Sequence, residues 1–254
     1  MDSLTVIKAG TGVLTRVSDG TLDGASLVRL VTAIAGQLEQ GHRCLLVSSG
    51  AVGAGVSAFG LDGYPSDLAT RQACAAVGQA RLMHTYENLF RNFELSVAQV
   101  LLTAEDLRTP ARSANVKSTL ARLLSEPRIL PIINENDSVA VEELRVGDND
   151  MLSARVARLV DARRLILLTS VDGLLSPDTG ELIPEVAELE EVLGFAKDER
   201  GKFSIGGMAS KLQAVRLAVE SGIETHIAHG RRPERLSAIL DGESGVSTRF
   251  VVKS

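Results

Sequence analysis

The chain has 254 residues, a formal charge of −5, 23% charged and 44% hydrophobic residues, which suits a globular α/β protein with a buried core. The acidic balance, the lack of Trp and an aromatic content of 3% speak against a nucleic-acid binder, which needs a basic face and stacking platforms. No run reaches the roughly 20 apolar residues of a membrane span, and MDSLTVIKAG lacks the basic-then-apolar start of a secretory signal, so no membrane contact and a cytoplasmic location are expected.

In chain order, Leu4 to Lys8 reads as a short strand that breaks at Ala9-Gly10-Thr11-Gly12. Leu27, Leu30, Val31, Ile34 and Leu38 recur at helical spacing, and Gly41 is a natural stop. Cys44 to Val47 is a continuous apolar run, as in a strand buried on both faces, and Ser48-Ser49-Gly50 leads it into the small residues Ala51 to Ala58. A long helix is predicted over 67–90, a strand over 97–102, a helix over 111–124 and a strand over 129–133. Helix over 149–160, strand over 165–168, helix over 207–219, strand over 224–228 and helix over 233–240 follow, with 249–252 adding an edge strand. Cys44 and Cys74 lie in a strand-like and a helix-like run with no CxxC, and read as two reduced core thiols.

Such alternation predicts an α/β fold, a three-layer αβα sandwich around a mostly parallel sheet, with ligands at the carboxyl ends of the strands. No repeat or linker divides the chain, so a single domain over 1–254 is the simplest reading.

Five polar clusters follow strands or open helices. Lys8-Ala9-Gly10-Thr11-Gly12 can hold a polyphosphate through backbone N–H groups and an ammonium, or be a strand end with a solvated lysine; no Walker A motif occurs. Ser48-Ser49-Gly50-Ala51, with Gly53 and Gly55, can be an anion site at a helix start or serve close helix–sheet packing. Asn134-Glu135-Asn136-Asp137 and Gly147-Asp148-Asn149-Asp150 gather acids and amides able to bind an ammonium, orient Mg²⁺-bound water or hold lysines, and capping does not readily explain both. Thr169-Ser170-Val171-Asp172-Gly173 can frame a base or ribose, or be a plain Asp-Gly turn. Gly206-Gly207-Met208-Ala209-Ser210-Lys211 opens a helix with a second Gly-plus-Lys pairing, and two such pairings in one sheet strengthen the phosphate reading.

Together the segments VIKAGTGVLT, LLVSSGAVGAG, RQACAAVGQARLM, AQVLLT, ILPIINENDSVAVEELRVGDNDMLSA, LILLTSVDGLL and GGMASKLQAVRLAVESGI resemble the amino acid kinase family over nearly the whole chain. The pairing of INEND with VGDND is specific to the members that phosphorylate free glutamate. The resemblance implies ATP-dependent phosphorylation of the L-glutamate side-chain carboxylate, the first step of proline biosynthesis. By position it implies that Lys8 and Lys211 contact the transferring phosphoryl group and that Asp150 holds both lysines. Ser49, Asp137 and Asn149 would bind glutamate, with Asn134 and Asp148 close by. Lys8, Gly10, Thr169, Ser170, Ile205, Gly206, Gly207, Met208, Ala209, Ser210 and Lys211 would surround ATP, with Mg²⁺ carried by the nucleotide and no protein-held metal.

Proline as a feedback inhibitor and a homo-oligomer, dimer or tetramer, are implied in the same way. The chain departs from the family at Gly12, often Ser; at Ser170, often acidic; and at Ser204-Ile205-Gly206-Gly207-Met208, usually G-T-G-G-M. Many bacterial members continue into a PUA domain, so the expectation here is the kinase domain without it. Competing readings are another family member, such as an acetylglutamate kinase or aspartokinase, and a non-catalytic amino-acid-binding sensor of the same fold. Both lysines and Asp150 argue against the sensor.

Overall fold

The computed structural model describes residues 4–139, 148–192 and 207–252, with no side chain described for Asp148. The elements begin with β1 (Leu4–Ala9), α1 (Thr11–Leu14), α2 (Gly24–Glu39), β2 (Arg43–Ser48), α3 (Ala51–Val56) and α4 (Leu68–Arg91). Next come β3 (Ser96–Leu102), α5 (Ala104–Arg108), α6 (Pro110–Leu124), β4 (Ile129–Glu135), α7 (Asp148–Leu159) and β5 (Arg164–Thr169). The series ends with β6 (Glu185–Val186), α8 (Leu189–Val192), α9 (Met208–Glu220), β7 (Glu224–His229), α10 (Leu236–Leu240) and β8 (Thr248–Phe250).

Local chemistry sets the helix ends. The Asp23 carboxylate accepts from Ala25 N and Ser26 N at the start of α2, and Asp67 accepts from Thr70 N at the start of α4. Thr103 and Asp106 form a reciprocal capping box on α5, and Pro110 opens α6 where its missing N–H costs nothing. Past the end of α2, Gly41 takes φ +87°, the left-handed turn that glycine adopts without a Cβ clash.

The strands form one sheet in the order β3-β4-β2-β1-β5-β7-β8-β6, parallel from β3 through β7. β8 runs antiparallel to β7, and β6 is parallel to β8. The strand expected at the edge over 249–252 is therefore Thr248–Phe250, and it lies inside the sheet with β6 outermost. At two residues β6 is too short to leave a periodic signal. Its neighbourhood is held by Thr248 Oγ1, which accepts from Leu174 N (2.8 Å) and donates to Ile183 O (2.7 Å). A Cβ on Gly173 would stand 2.5 Å from that oxygen, so the Asp-Gly turn serves close packing against β8.

Residue parity divides the core in two. Leu4 and Val6, Leu45 and Val47, Ile133, Leu165 and Leu167 face a layer containing Leu120, Leu152, Val156, Leu212 and Val215 from α6, α7 and α9. Ile7 and Ala9, Cys44 and Leu46, Leu130 and Ile132, Ile166 and Leu168 face Leu27, Ile34, Leu82, Tyr86, Phe90 and Ile239 from α2, α4 and α10. This is the expected three-layer arrangement, and the two faces decide which helices each strand-end side chain meets. Both cysteines are buried free thiols, and burial pushes Cys44 up to about 12. Among the described residues no helix is long and apolar enough to cross a membrane.

At the amino ends of the strands Glu224 pairs in register with Arg164 and accepts its Nε at 2.6 Å, with Arg249 Nη2 at 2.7 Å. His226, 4% exposed, contacts Glu224 through Nε2 (3.3 Å) and Ser247 Oγ through Nδ1 (3.0 Å). The hydrogen bond from His226, then those from Arg164 and Arg249, hold Glu224 well below the usual carboxylate range; burial lowers His226. His226 thus binds its proton more readily unfolded, so its contribution to stability is lost as pH falls below 6.5, and that of Glu224 as pH falls below 4.5. We expect the melting temperature of His226→Gln to decline less between pH 7.5 and pH 5 than that of the wild type. Equal slopes in scanning calorimetry would exclude His226 as the titrating group.

Candidate active site

β1 carries Leu4 and Val6 toward α7 and α9, so the same parity sends Lys8 to that face at the carboxyl end of the strand. There the first turn of α7 supplies Asp150 and the first turn of α9 supplies Lys211. Lys8, Asp150 and Lys211 are 6%, 2% and 9% exposed. Asp150 Oδ1 lies 2.6 Å from Lys8 Nζ, and Oδ2 lies 3.3 Å from Lys211 Nζ. One carboxylate thus aligns two ammonium groups in a buried position. Burial lowers the Lys8 pKa below 10.5, Asp150 opposes that shift and Lys211 adds to it. A Cβ on Gly10 would stand 3.0 Å from Lys8 Nζ, so glycine leaves the ammonium its room.

Around these charges lie donors suited to an anion. Gly207 caps α9 without a side-chain hydrogen bond, and the first N–H groups of a helix have no partner within it. Ser210 Oγ is buried there and unpartnered among the described residues. Thr169 ends β5 on the α7/α9 face, 8% exposed, and Ser170 is exposed beside it. Asp172 faces away from this role, since it accepts from Arg235 Nη1 at 2.8 Å. Gly12 has open space where a Cβ would stand, so the position takes a serine as readily. Ile205 and Gly206 lie outside the described residues, as does the side chain of Asp148.

A second cluster of amides and hydroxyls adjoins the charged one. Asn149 Nδ2 donates to Ser49 Oγ (2.9 Å), Asn134 Oδ1 (3.1 Å) and, more weakly, Ser48 O (3.4 Å). Its own Oδ1 is buried and has no partner among the described residues. Ser49 N donates to Ala9 O at 3.1 Å, tying the ends of β2 and β1, and Ser48 Oγ shares a 2.9 Å hydrogen bond with Tyr86 OH. Asp137 is half-buried in the turn after β4. Asn134 and Glu135, expected to follow their strand, form its last two residues because β3 pairs with them in register.

The expected residues therefore converge as two adjoining groups, Lys8–Asp150–Lys211 and Ser49–Asn134–Asn149, linked by the neighbours Asn149 and Asp150. Sequence reasoning missed Gln79, whose Oε1 accepts from Asn134 Nδ2 at 2.9 Å. A signal was present: Gln79 falls on the buried stripe of Ala75, Leu82 and Tyr86, a polar residue in an apolar row. Close packing, the alternative expected for Gly53 and Gly55, is found, with a helix as the partner of Gly55 where a sheet was expected. A Cβ on Gly55 would stand 2.0 Å from Cys74 O, and one on Gly78 1.8 Å from Ala51 O. Those glycines let α3 and α4 approach closely and fix the turn that presents Ser49.

The family model described as the amino acid kinase family matches residues 3–229. The chain belongs to the amino acid kinase family. Within that family it is 48% identical over 252 residues to the glutamate 5-kinase of Moorella thermoacetica, covering 97% of this chain and 66% of the relative. It is 45% identical to the glutamate 5-kinase of Gloeobacter violaceus, covering 97% of this chain and 68% of that protein. The chain thus spans about two thirds of the length of the curated relatives it matches. Among solved structures it is similar to a carbamate kinase from Giardia lamblia bound to AMP-PNP, with a TM-score of 0.66, 16% identity and 98% of each chain covered. It is also similar to an N-acetylglutamate synthase from Neisseria gonorrhoeae, with a TM-score of 0.73, 16% identity, and 99% and 60% covered. At that identity the likeness supports the family's fold and nothing finer.

Proposed function

We propose that this chain transfers the γ-phosphoryl group of MgATP to the side-chain carboxylate of L-glutamate, giving L-glutamyl 5-phosphate and ADP, the first step of proline biosynthesis. The observation that carries this reading is Asp150 set between Lys8 and Lys211, with Ser210 Oγ and Asn149 Oδ1 buried nearby and unpartnered among the described residues. The likeness to glutamate 5-kinases selects glutamate as the acceptor.

A carboxylate with an ordinary pKa of about 4.3 is ionised at neutral pH, so the acceptor needs no general base. The obstacle is electrostatic, because an anion must approach an anionic phosphoryl group. Lys8 and Lys211 answer it with two ammonium groups that Asp150 has already oriented, in a site screened from water. As one carboxylate oxygen bonds to phosphorus, the bond from phosphorus to the ADP oxygen breaks and its electron pair leaves with ADP. Ser210 Oγ and the start of α9 face the phosphates, and Gly10, Thr169, Ser170 and Gly207 to Lys211 frame the nucleotide. Among the described residues no group of three or more His, Cys, Asp or Glu is placed to hold an ion, and Asp150 is engaged by both lysines. The resemblance to the family supports Mg²⁺ entering with ATP as part of the substrate.

Asn149 Oδ1, a buried acceptor without a partner among the described residues, and Asp137 take the α-ammonium of glutamate; Ser49 and Asn134 complete that end of the site. N-acetylglutamate lacks the charge and adds bulk. Asp137→Asn is expected to raise the glutamate KM about tenfold or more through loss of a charge-assisted contact, with kcat little changed. An unchanged KM would exclude the contact. Resemblance to the family further supports proline as a competing ligand at this end, a homo-oligomer and a cytoplasmic location.

The test is a panel of glutamate, N-acetylglutamate and aspartate with MgATP, trapping the acyl phosphate as hydroxamate with hydroxylamine. Glutamate-dependent hydroxamate supports the proposal. ATP turnover indifferent to glutamate, or faster with N-acetylglutamate, overturns it.

A further inference from the structure

Behind the amino-acid end of the site, four amide side chains form a directed chain of hydrogen bonds. Asn149 Nδ2 donates to Asn134 Oδ1 (3.1 Å), Asn134 Nδ2 to Gln79 Oε1 (2.9 Å) and Gln79 Nε2 to Gln99 Oε1 (2.8 Å). In each of these three bonds the amide nearer the site donates and the one behind it accepts. The inner end of the chain is Asn149 Oδ1, buried and unpartnered among the described residues.

The direction of the chain follows from groups whose chemistry is fixed. Asn134 Oδ1 accepts from the backbone N–H of Glu135 at 2.9 Å, and a backbone N–H can only donate. That pins the Asn134 oxygen toward the site and turns its NH₂ toward α4. The residue there must then offer an acceptor, which Gln79 does through Oε1. Asn134 is 1% exposed and Gln79 9% exposed, so water does not readily substitute. Gln79 is itself held in place because the adjoining Gly78 lets α4 close onto Ala51 O. Gln99 stands on β3 at the sheet edge, exposed, so the outer end is satisfied at the surface.

We infer that Gln79 is a positioning residue that completes this amide chain: it accepts from the Asn134 NH₂ that the Glu135 N–H turns toward α4, and so steadies Asn134 and, through it, the Asn149 acceptor presented to substrates carrying a free α-ammonium. Asn149 with its amide reversed would aim an NH₂ at the ammonium, two donors with nothing between them. Gln79 touches no substrate. Its effect reaches the site through Asn134 and Asn149, and it concerns recognition of the ammonium, not phosphoryl transfer. The inference rests on the proposed glutamate site.

Gln79→Leu removes the acceptor at similar size, leaving Asn134 Nδ2 buried without a partner. The expected result is a glutamate KM raised about tenfold, with kcat and the KM for ATP within about twofold of wild type, as for loss of one buried hydrogen bond. Glutarate, which has the two carboxylates and no ammonium, serves as the control inhibitor. Its Ki against glutamate is expected to stay within about twofold, so the preference for the ammonium-bearing ligand shrinks. Gln79→Glu keeps an oxygen facing Asn134 and is expected to restore the glutamate KM to within about threefold of wild type. Should the leucine variant fail to fold, Gln79→Met makes the same deletion and is read in the same way. A glutamate KM unchanged in both deletions, or a parallel rise in glutamate KM and glutarate Ki, overturns the inference while leaving the glutamate reading intact. Wild-type protein without glutamate-dependent turnover overturns that reading first, and the positioning role with it.

Discussion

Lys211→Ala is expected to lower kcat on the order of 10²- to 10³-fold, the usual effect of deleting one charged donor from a preorganised transition-state site. Its KM for glutamate should move less than about threefold, because the amino-acid end of the site is built from Ser49, Asn134 and Asn149. The split follows from geometry. Lys211 Nζ meets Asp150 Oδ2 in the lysine cluster, and the amide cluster reaches its partners without it. A variant with wild-type kcat would remove Lys211 from the chemistry, and one with only a raised glutamate KM would move it to binding.

Asp150→Ala is expected to act on stability and catalysis together. Asp150 Oδ1 and Oδ2 each face a different lysine, and all three residues are at most 9% exposed. Removing one member of a buried ion pair costs about 3–5 kcal/mol when the remaining charge stays unpaired. Here it leaves the Lys8 ammonium facing Lys211, and Lys8 escapes the repulsion by losing its proton. Burial and Lys211 already lower Lys8 below 10.5, with Asp150 as the opposing influence. Without Asp150 the Lys8 pKa must fall further. Activity requires the charged form, so it should fail at lower pH on the alkaline side in Asp150→Asn than in the wild type. Asparagine keeps the shape while removing the charge, which separates the electrostatic effect from a packing defect. An alkaline limb in the same place for both proteins would show that Asp150 does not hold Lys8 charged.

The fold was largely legible because its strands are continuous apolar runs and its helices carry clear apolar stripes. Cys44 to Val47 and Leu165 to Leu168 show the first signal; Leu27, Leu30, Val31 and Ile34 show the second. The sheet's far edge was not legible. β6 has two residues and no period, and β8 is defined by the hydrogen bonds of Thr248 more than by any pattern of its own. The charged half of the site could be read as two Gly-plus-Lys segments and an acidic cluster, since strand parity forces Lys8 onto the face of α7 and α9. That Asp150 contacts both lysines is a tertiary fact, legible in the sequence through the family resemblance alone. Gln79 and the Gly55–Gly78 contact escaped for the same reason: each is defined by a partner on another element, Asn134 in one case and backbone carbonyls in the other.

The central claim is that the side-chain carboxylate of glutamate takes the phosphoryl group directly. Glutamate labelled with ¹⁸O in both oxygens of that carboxylate tests it without reference to any variant. After incubation with MgATP and hydroxylamine, cleavage between the acyl carbon and oxygen releases phosphate that retains the bridging atom. The account predicts one ¹⁸O in each inorganic phosphate released, in step with hydroxamate formed. Unlabelled phosphate appearing at the rate of ATP consumption would mean that water is the acceptor, and would contradict it.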